Sequence, residues 1–229
     1  DEIVSLDQLK ELEKNLLKEG RFLDVVHVLE RKIQLDTSHA SNYYYEIGNI
    51  YRDQIKNQEM AIDSLKKAIS FQPDFFSAFQ ALRSIFLAQE NWEQYLLFGE
   101  KQLAFTSDPQ QIIDLHFSLA DVYTRLNIFN KAEDHLLQVY RFDPCHLSAF
   151  EKLASFYKKI EKWQEYVNIL QNHLPGNTAD LVPRLIEIAD VYFHKLKNYK
   201  DAIVFYEKAH LLEPFVEDIL IQLQKAAKE

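Results

Sequence analysis

Residues 117–144, FSLADVYTRLNIFNKAEDHLLQVYRFDP, contain two amphipathic segments separated by a polar turn at Asn127. On both sides of the turn, apolar residues recur at i, i+3, i+4 and i+7, the spacing that places them on one face of an α-helix. Pro144 comes just after the second segment, where it can begin a following helix but cannot continue the preceding one. The stretch therefore predicts a helix–turn–helix hairpin.

The same pattern recurs along the chain at an interval of about 35 residues. An aromatic residue marks it every 34 to 37 residues, at Tyr51, Phe86, Tyr123, Tyr157 and Tyr192. The residue three positions before this aromatic column is small in four of the five cases, and Arg83 is the exception. Because a single hairpin cannot bury its apolar face, a repeated hairpin predicts a stack with one shared interior.

The repeat predicts six hairpins, which we place at residues 5–36, 40–73, 75–108, 110–143, 146–174 and 178–214. We interpret residues 215–229 as a helix that caps the sixth hairpin; the alternative is the first helix of a seventh repeat. The chain of 229 residues has only 4 glycines and 6 prolines, which fits helices almost throughout and disfavours β-rich folds. We therefore predict one all-α domain over residues 1–229.

These columns resemble the tetratricopeptide repeat family. The matching residues in the second hairpin are Tyr44, Ile47, Gly48, Tyr51, Ala61, Leu65, Ala68 and Pro73, and in the sixth they are Ile188, Ala189, Tyr192, Ala202, Tyr206, Ala209 and Pro214. The resemblance implies a right-handed α–α superhelix, or solenoid. It also leads us to expect that the chain is a fragment of a longer, bacterial tetratricopeptide array. Hairpins two and six carry one extra residue between their helices, which we expect to lengthen the turn without breaking the stack.

A longer period of about 70 residues, equal to two hairpins, is superimposed on the short one. Trp92 and Trp163 are 71 residues apart, and so are Tyr95 and Tyr166. The two tyrosines stand where the second, fourth and sixth hairpins have alanine, and a larger side chain at a helix contact widens the spacing between the helices. Two interpretations of the tryptophans stay open: packing against the preceding turn, or an exposed anchor for a partner.

Composition narrows the classes of partner. The net charge is −9, from 26 basic and 35 acidic residues, so we expect neither nucleic-acid binding nor attraction to an anionic membrane surface. No apolar run reaches the length of a membrane span, and we expect no membrane insertion. Cys145 is the only cysteine, and no N-glycosylation triplet occurs. These features favour the cytoplasm and are also compatible with the periplasm.

Residue types that perform chemistry are present without the patterns that chemistry needs. The eight histidines include no H-E-x-x-H motif and do not converge at one level of the repeat, so we predict no metal site. Most carboxylates have lysines three or four residues away, as solvated helix faces do. No nucleophile elbow and no glycine-rich loop occurs. We predict that the chain is not an enzyme and needs no cofactor.

In the tetratricopeptide family the first helices of successive hairpins line a concave groove. The resemblance therefore predicts a protein-binding groove formed by Lys14, Tyr45, Asn49, Arg52, Gln80, Ser84, Phe117, Asp121, Glu151, Asp190 and Phe193. Amides, hydroxyls, scattered charges and a few aromatics suit an extended peptide or a helix. We expect a non-catalytic scaffold or adaptor that holds a protein or peptide partner.

Three alternatives stay open. The chain is a regulatory or substrate-recruiting module of a larger enzyme, if a catalytic domain lies outside this segment. It is an RNA-binding helical repeat, if its concave face is basic, which the acidic residues Asp121, Glu151 and Asp190 oppose. Finally, self-association through the terminal helices is possible because the last helix has Ile221 and Leu223 on an unfinished edge.

Overall fold

The computed structural model describes residues 5–214 and 217–228. Across these ranges it contains thirteen α-helices and no strand. The helices are α1 (Leu6–Glu19), α2 (Phe22–Leu35), α3 (Ala40–Ile50), α4 (Gln58–Phe71), α5 (Phe76–Ala88), α6 (Trp92–Leu103), α7 (Pro109–Arg125), α8 (Phe129–Phe142), α9 (Leu147–Lys159), α10 (Trp163–Asn172), α11 (Thr178–His194), α12 (Tyr199–Leu212) and α13 (Glu217–Ala226). The predicted all-α class of tandem helical hairpins is confirmed.

The chain separates into two compact units, and the division falls within α7. Unit 1 is Asp1–Val122 and unit 2 is Tyr123–Glu229. In each unit, consecutive helices pack on one another, from α1 to α6 in unit 1 and from α8 to α13 in unit 2. The single domain over residues 1–229 stays a prediction. Of the predicted capping helix, residues 215, 216 and 229 lie outside the described residues.

Each hairpin turn contains one residue in the left-handed backbone region. The φ angles lie between 53° and 72° at Gly20, Lys56, Glu90, Asn127, Glu161 and Lys197. The following residue donates its backbone N–H to a carbonyl in the last turns of the first helix, at N···O distances of 2.8 to 3.0 Å. In the last five hairpins the accepting residue belongs to the aromatic column. The repeated side chain therefore coincides with a repeated turn geometry, which closes the first helix and starts the second.

The extra residue of hairpins two and six is absorbed within this turn. The closing hydrogen bonds run from Asn57 to Tyr51 and from Asn198 to Tyr192, so they span six residues, whereas the other four turns span five. In the second hairpin the residue is accommodated by a wide, π-type turn over Tyr51–Ile55 at the end of α3. The side chains of Asn57 and Asn198 then cap α4 and α12 by accepting backbone N–H bonds. The turn is longer, as expected, and the second helix still starts in register.

The small-residue column marks a close approach between helices. A Cβ atom added to Gly48 would lie 2.7 Å from Leu65 Cγ, so α3 and α4 pack with no room for a side chain there. Arg83, the exception in this column, extends across its hairpin instead. Its Nη2 donates to Tyr95 Oη and Ser118 Oγ, at 2.6 Å each. Arg83 replaces the small residue of its column, and Tyr95 replaces the alanine of the second helix. The third hairpin accommodates both large side chains because they form one hydrogen-bonded cluster.

Unit 1 also buries a cation. Lys32 of α2 is 4% exposed, and its ammonium donates a hydrogen bond to Glu13 of α1. The ammonium also lies 5.6 Å from the centre of the Tyr43 ring. The Lys32–Glu13 pair joins the two helices of the first hairpin, which lacks the aromatic column.

Unit 2 contains a half-buried histidine, His173, that we predict to make its stability depend on pH. His173 packs 4.4 Å from the Phe150 ring and hydrogen-bonds to Tyr140 Oη at 3.0 Å. Burial, and secondarily the positive charge of Arg184, lower the pKa of His173 below its ordinary value. Below about pH 6.5 the unfolded chain therefore binds more protons at this group than the folded chain. Acidification through that range should destabilise unit 2.

The measurement is the urea midpoint of unfolding between pH 7.5 and 5.5, followed by circular dichroism. We expect the midpoint of the His173→Gln variant to fall less on acidification than that of the parent chain. Glutamine keeps a hydrogen-bonding group near Tyr140 and cannot take up the proton. Equal falls in both proteins would contradict the assignment of this titration to His173.

Candidate functional site

The predicted groove residues of unit 1 lie on α1, α3 and its continuation, α5 and α7. The exposed ones are Lys14, Gln80, Ser84 and Asp121, and the half-buried ones are Tyr45, Asn49, Arg52 and Phe117. The contacts of three of them are local. Arg52 forms two hydrogen bonds of 2.7 and 2.8 Å with neighbouring Asp53, Ser84 donates to the carbonyl of Ala81, and the Tyr45 ring packs 5.2 Å from that of Phe75.

In unit 2 the predicted residues lie on α9 and α11. Glu151 is exposed, and Phe193 is half-buried with its ring 5.3 Å from that of Tyr199. Asp190 is half-buried on α11 and accepts a hydrogen bond from the Tyr206 hydroxyl of α12. Asp190 is also the one member of the predicted set in unit 2 that lines a described cavity.

That cavity has a volume of about 520 Å³ and lies between α9, α10 and α11. Its walls are mostly apolar, and charged groups stand among them. The lining residues are Lys158, Trp163, Tyr166, Pro183, Ile186, Glu187, Asp190, Val191, His194 and Lys195. We refer to it as the unit 2 cavity.

Tyr166 forms one aromatic wall of the unit 2 cavity and is 4% exposed. Its hydroxyl donates to Glu187 Oε1 at 2.5 Å. Burial, followed by the hydrogen bond and the negative charge of Glu187, raises the pKa of Tyr166, so the phenol keeps its proton and stays a donor. The phenol of Tyr206 has its pKa raised in the same way, by burial and by Asp190. Glu187 and Asp190, the two carboxylates of the cavity wall, thus each accept a hydrogen bond from a protonated tyrosine hydroxyl.

Trp163 forms the second aromatic wall. Its half-buried ring meets that of Tyr166 edge to face, with the ring centres 6.2 Å apart. The Lys195 ammonium lies 4.8 Å from the centre of the tryptophan ring, a distance at which a cation is attracted to an aromatic face. The Lys158 ammonium lies 5.7 Å from the Tyr166 ring. Aromatic walls with cations beside them are therefore the main chemical character of this site.

The residues that give this site its chemical character and were absent from the predicted groove include Trp163, Tyr166, Glu187 and Lys195. The available signal was tyrosine in place of alanine at Tyr166, because the larger side chain widens the space beside α10. Of the two interpretations of Trp163, packing against its turn and anchoring a partner, the structure favours neither alone. The ring is half-buried, and it also forms a cavity wall.

Two further features bear on the kind of site. In the part of the chain that the structure describes, no helix combines the length and the hydropathy needed to cross a bilayer. Over the same residues, no group of three or more His, Cys, Asp or Glu side chains is arranged to hold a metal ion.

Comparison with known proteins identifies the repeat. Residues 41–75 and 183–215, which correspond to the second and sixth hairpins, match the family model described as tetratricopeptide repeat. No curated protein matches the sequence. In this family, repeats generally act as non-catalytic scaffolds that bind protein or peptide partners.

Solved structures share the fold at low sequence identity. The structure of Naa15/Naa10 bound to HypK-THB is similar, with 17% identity, 97% of this chain and 36% of that chain covered, and a TM-score of 0.55. The C-terminal part of a tetratricopeptide repeat-containing protein from Cytophaga hutchinsonii has 15% identity, coverage of 97% and 89%, and a TM-score of 0.51. A tetratricopeptide repeat protein from Parabacteroides merdae is 16% identical, with 96% of this chain and 98% of that chain covered and a TM-score of 0.50.

These identities are low enough that the likeness concerns the fold alone, and the chain spans about a third of the Naa15/Naa10 chain that it matches. Two hairpins match the tetratricopeptide repeat model, and the repeated turn geometry and the fold are consistent with a protein of that family.

Proposed function

We propose that the chain is a non-catalytic adaptor that holds a peptide segment of another protein, with the unit 2 cavity as the principal point of contact. The observation that carries the proposal is the cavity itself. Its volume of about 520 Å³ lies in the range of ligand-binding sites, and apolar walls with a few placed polar groups are typical of such sites.

The chemistry of the walls suits a side chain from a partner better than a free polar metabolite. Tryptophan and tyrosine are the residue types most enriched among those that dominate binding energy at protein interfaces. Trp163 and Tyr166 are both held in place, by their mutual edge-to-face contact and by the hydrogen bond from Tyr166 to Glu187. A wall that is already ordered loses little conformational entropy when a partner binds.

The remaining predicted groove residues enter the proposal as secondary contacts. On unit 2, Glu151 and Phe193 lie on helices that also line the cavity, so a segment anchored there can extend over them. On unit 1, the half-buried aromatics Tyr45 and Phe117 are proposed to contact a partner through their accessible edges. Arg52 is a weaker candidate because Asp53 already neutralises it.

The experiment is selection of random peptides on the full chain, followed by affinity measurement with variants. We expect Trp163→Ala and His194→Glu each to weaken the selected peptides by about tenfold or more, which corresponds to about 1.4 kcal/mol. His194 is exposed, so its replacement tests the cavity with little effect on folding.

The matched control is Trp92→Ala, at the equivalent position 71 residues earlier and in the other unit. It should leave the affinities unchanged. Circular dichroism establishes that each variant remains folded. The proposal fails if no peptide is enriched, or if the selected peptides bind the Trp163, His194 and Trp92 variants equally well.

A further inference from the structure

We infer that the unit 2 cavity selects peptides in which a large apolar side chain is followed directly by acidic residues. This inference rests on the proposed function and specifies the partner's chemistry. The apolar side chain would enter the cavity, and the carboxylates would pair with lysines at its edge.

The apolar half of the inference follows from the walls. The aromatic rings of Trp163 and Tyr166 line the cavity together with the aliphatic side chains of Ile186 and Val191. An aromatic ring or a branched aliphatic side chain in this space gains from burial and from edge-to-face or stacked contacts with the rings. A small side chain would leave the space unfilled and forgo those contacts.

The acidic half follows from which charges already have partners. Glu187 accepts from Tyr166 and has two cations nearby, Lys158 at 3.9 Å and Arg184 at 3.6 Å. Asp190 accepts from Tyr206. The negative charges of the wall are therefore satisfied from within the unit.

The positive charges at the edge have fewer partners: in the part of the chain that the structure describes, Lys195 has no carboxylate beside it, and Lys158 has only a distant one. Among the described residues, no carboxylate lies within 4.0 Å of the Lys195 ammonium, which rests over the Trp163 ring. Lys158 is 61% exposed and lies at the limit of ion-pair distance from Glu187. A carboxylate that arrives beside a bound apolar side chain would meet both lysines, and complementary charge raises both the rate and the specificity of association.

A stacked base with its phosphate is the competing occupant, because an aromatic wall beside a lysine also suits nucleic acid. The acidic side chains of the cavity wall disfavour a nucleotide. Glu187 and Asp190 line the same cavity and would repel a phosphate group that enters it. A peptide carboxylate at the edge stays farther from those two acids than a nucleotide that enters the cavity with its phosphate.

The test uses the intrinsic fluorescence of the site. The chain has two tryptophans, so Trp92→Phe leaves Trp163 as the only one and makes its emission a reporter of the cavity. Three synthetic peptides in a glycine–serine background serve as probes. The first contains phenylalanine followed by two aspartates, the second has lysines in place of the aspartates, and the third has alanine in place of phenylalanine. None contains tryptophan.

We expect the phenylalanine–aspartate peptide to change Trp163 emission and to bind about tenfold more tightly than either of the others at low salt. Lys195→Glu should abolish or reverse the preference for aspartate over lysine. The control, Lys200→Glu, changes an exposed lysine outside the cavity lining and should leave the preference intact.

The outcomes separate the inference from the proposed function. Equal affinity for the aspartate and lysine peptides, with phenylalanine still required, overturns the acidic preference and leaves the adaptor function standing. Selected peptides that bind without changing Trp163 emission overturn the cavity as the site. Tighter binding of an oligothymidylate than of any peptide overturns the inference in favour of nucleic acid.

Discussion

Replacing Tyr206 with alanine is expected to lower the free energy of unfolding of unit 2 by about 4 kcal/mol, the range observed when a large buried aromatic is truncated. Tyr206 has no exposed surface, and it stands in the α12 face that packs against α11. Its removal leaves a cavity that the neighbouring helices can fill only in part. Urea unfolding followed by Trp163 emission, in the Trp92→Phe background, reports on unit 2 directly.

The matched change is Tyr206→Phe, which keeps the ring and removes only the hydroxyl. It should cost about 1–2 kcal/mol, because Asp190 loses a hydrogen-bond donor in a half-buried position. The difference between the two variants measures burial of the ring. If phenylalanine costs as much as alanine, the hydrogen bond to Asp190, and not packing, holds α11 and α12 together.

The second large effect is expected from Glu13→Ala in unit 1, at about 3 kcal/mol. Lys32 is 4% exposed, and removal of Glu13 leaves its ammonium buried without the carboxylate to which it is hydrogen-bonded. Breaking one side of a buried ion pair is costly for this reason. Urea unfolding of a Trp163→Phe background, in which Trp92 is the sole tryptophan, follows unit 1.

The paired control replaces both charges, as Glu13→Leu with Lys32→Met. Because neither partner then remains as an isolated charge, the double variant should recover to within about 1 kcal/mol of the parent chain. A double variant as unstable as Glu13→Ala would mean that the pair contributes attraction well beyond the cost of burying it.

Much of the fold could be predicted because the repeat makes each position visible several times. The aromatic column revealed the repeat, and the structure explains why it recurs: in the last five hairpins these residues supply the carbonyls that close the turns. Gly48, in the small-residue column, lies where α3 closely approaches Leu65 of α4. Arg83 could not be explained from its column, since its partners Tyr95 and Ser118 come from two other helices.

The candidate site was less accessible to prediction. Assigning the groove to the first helices found Asp190, which does line the cavity, and missed Trp163 and Tyr166 because they belong to a second helix. The substitution of tyrosine for alanine was visible in the sequence. The space that it opens depends on how α10 and α11 pack, and no spacing along the chain encodes that distance.

The left-handed residues of the hairpin turns have a consequence for engineering. Only one is glycine and one asparagine, whereas Lys56, Glu90, Glu161 and Lys197 hold side chains in a conformation that disfavours them by about 1 kcal/mol each. Since the energies of neighbouring repeats add, exchanging these four for asparagine or glycine offers a cumulative gain in heat tolerance. None of the four lines the unit 2 cavity, so a hardier variant could keep its recognition chemistry intact.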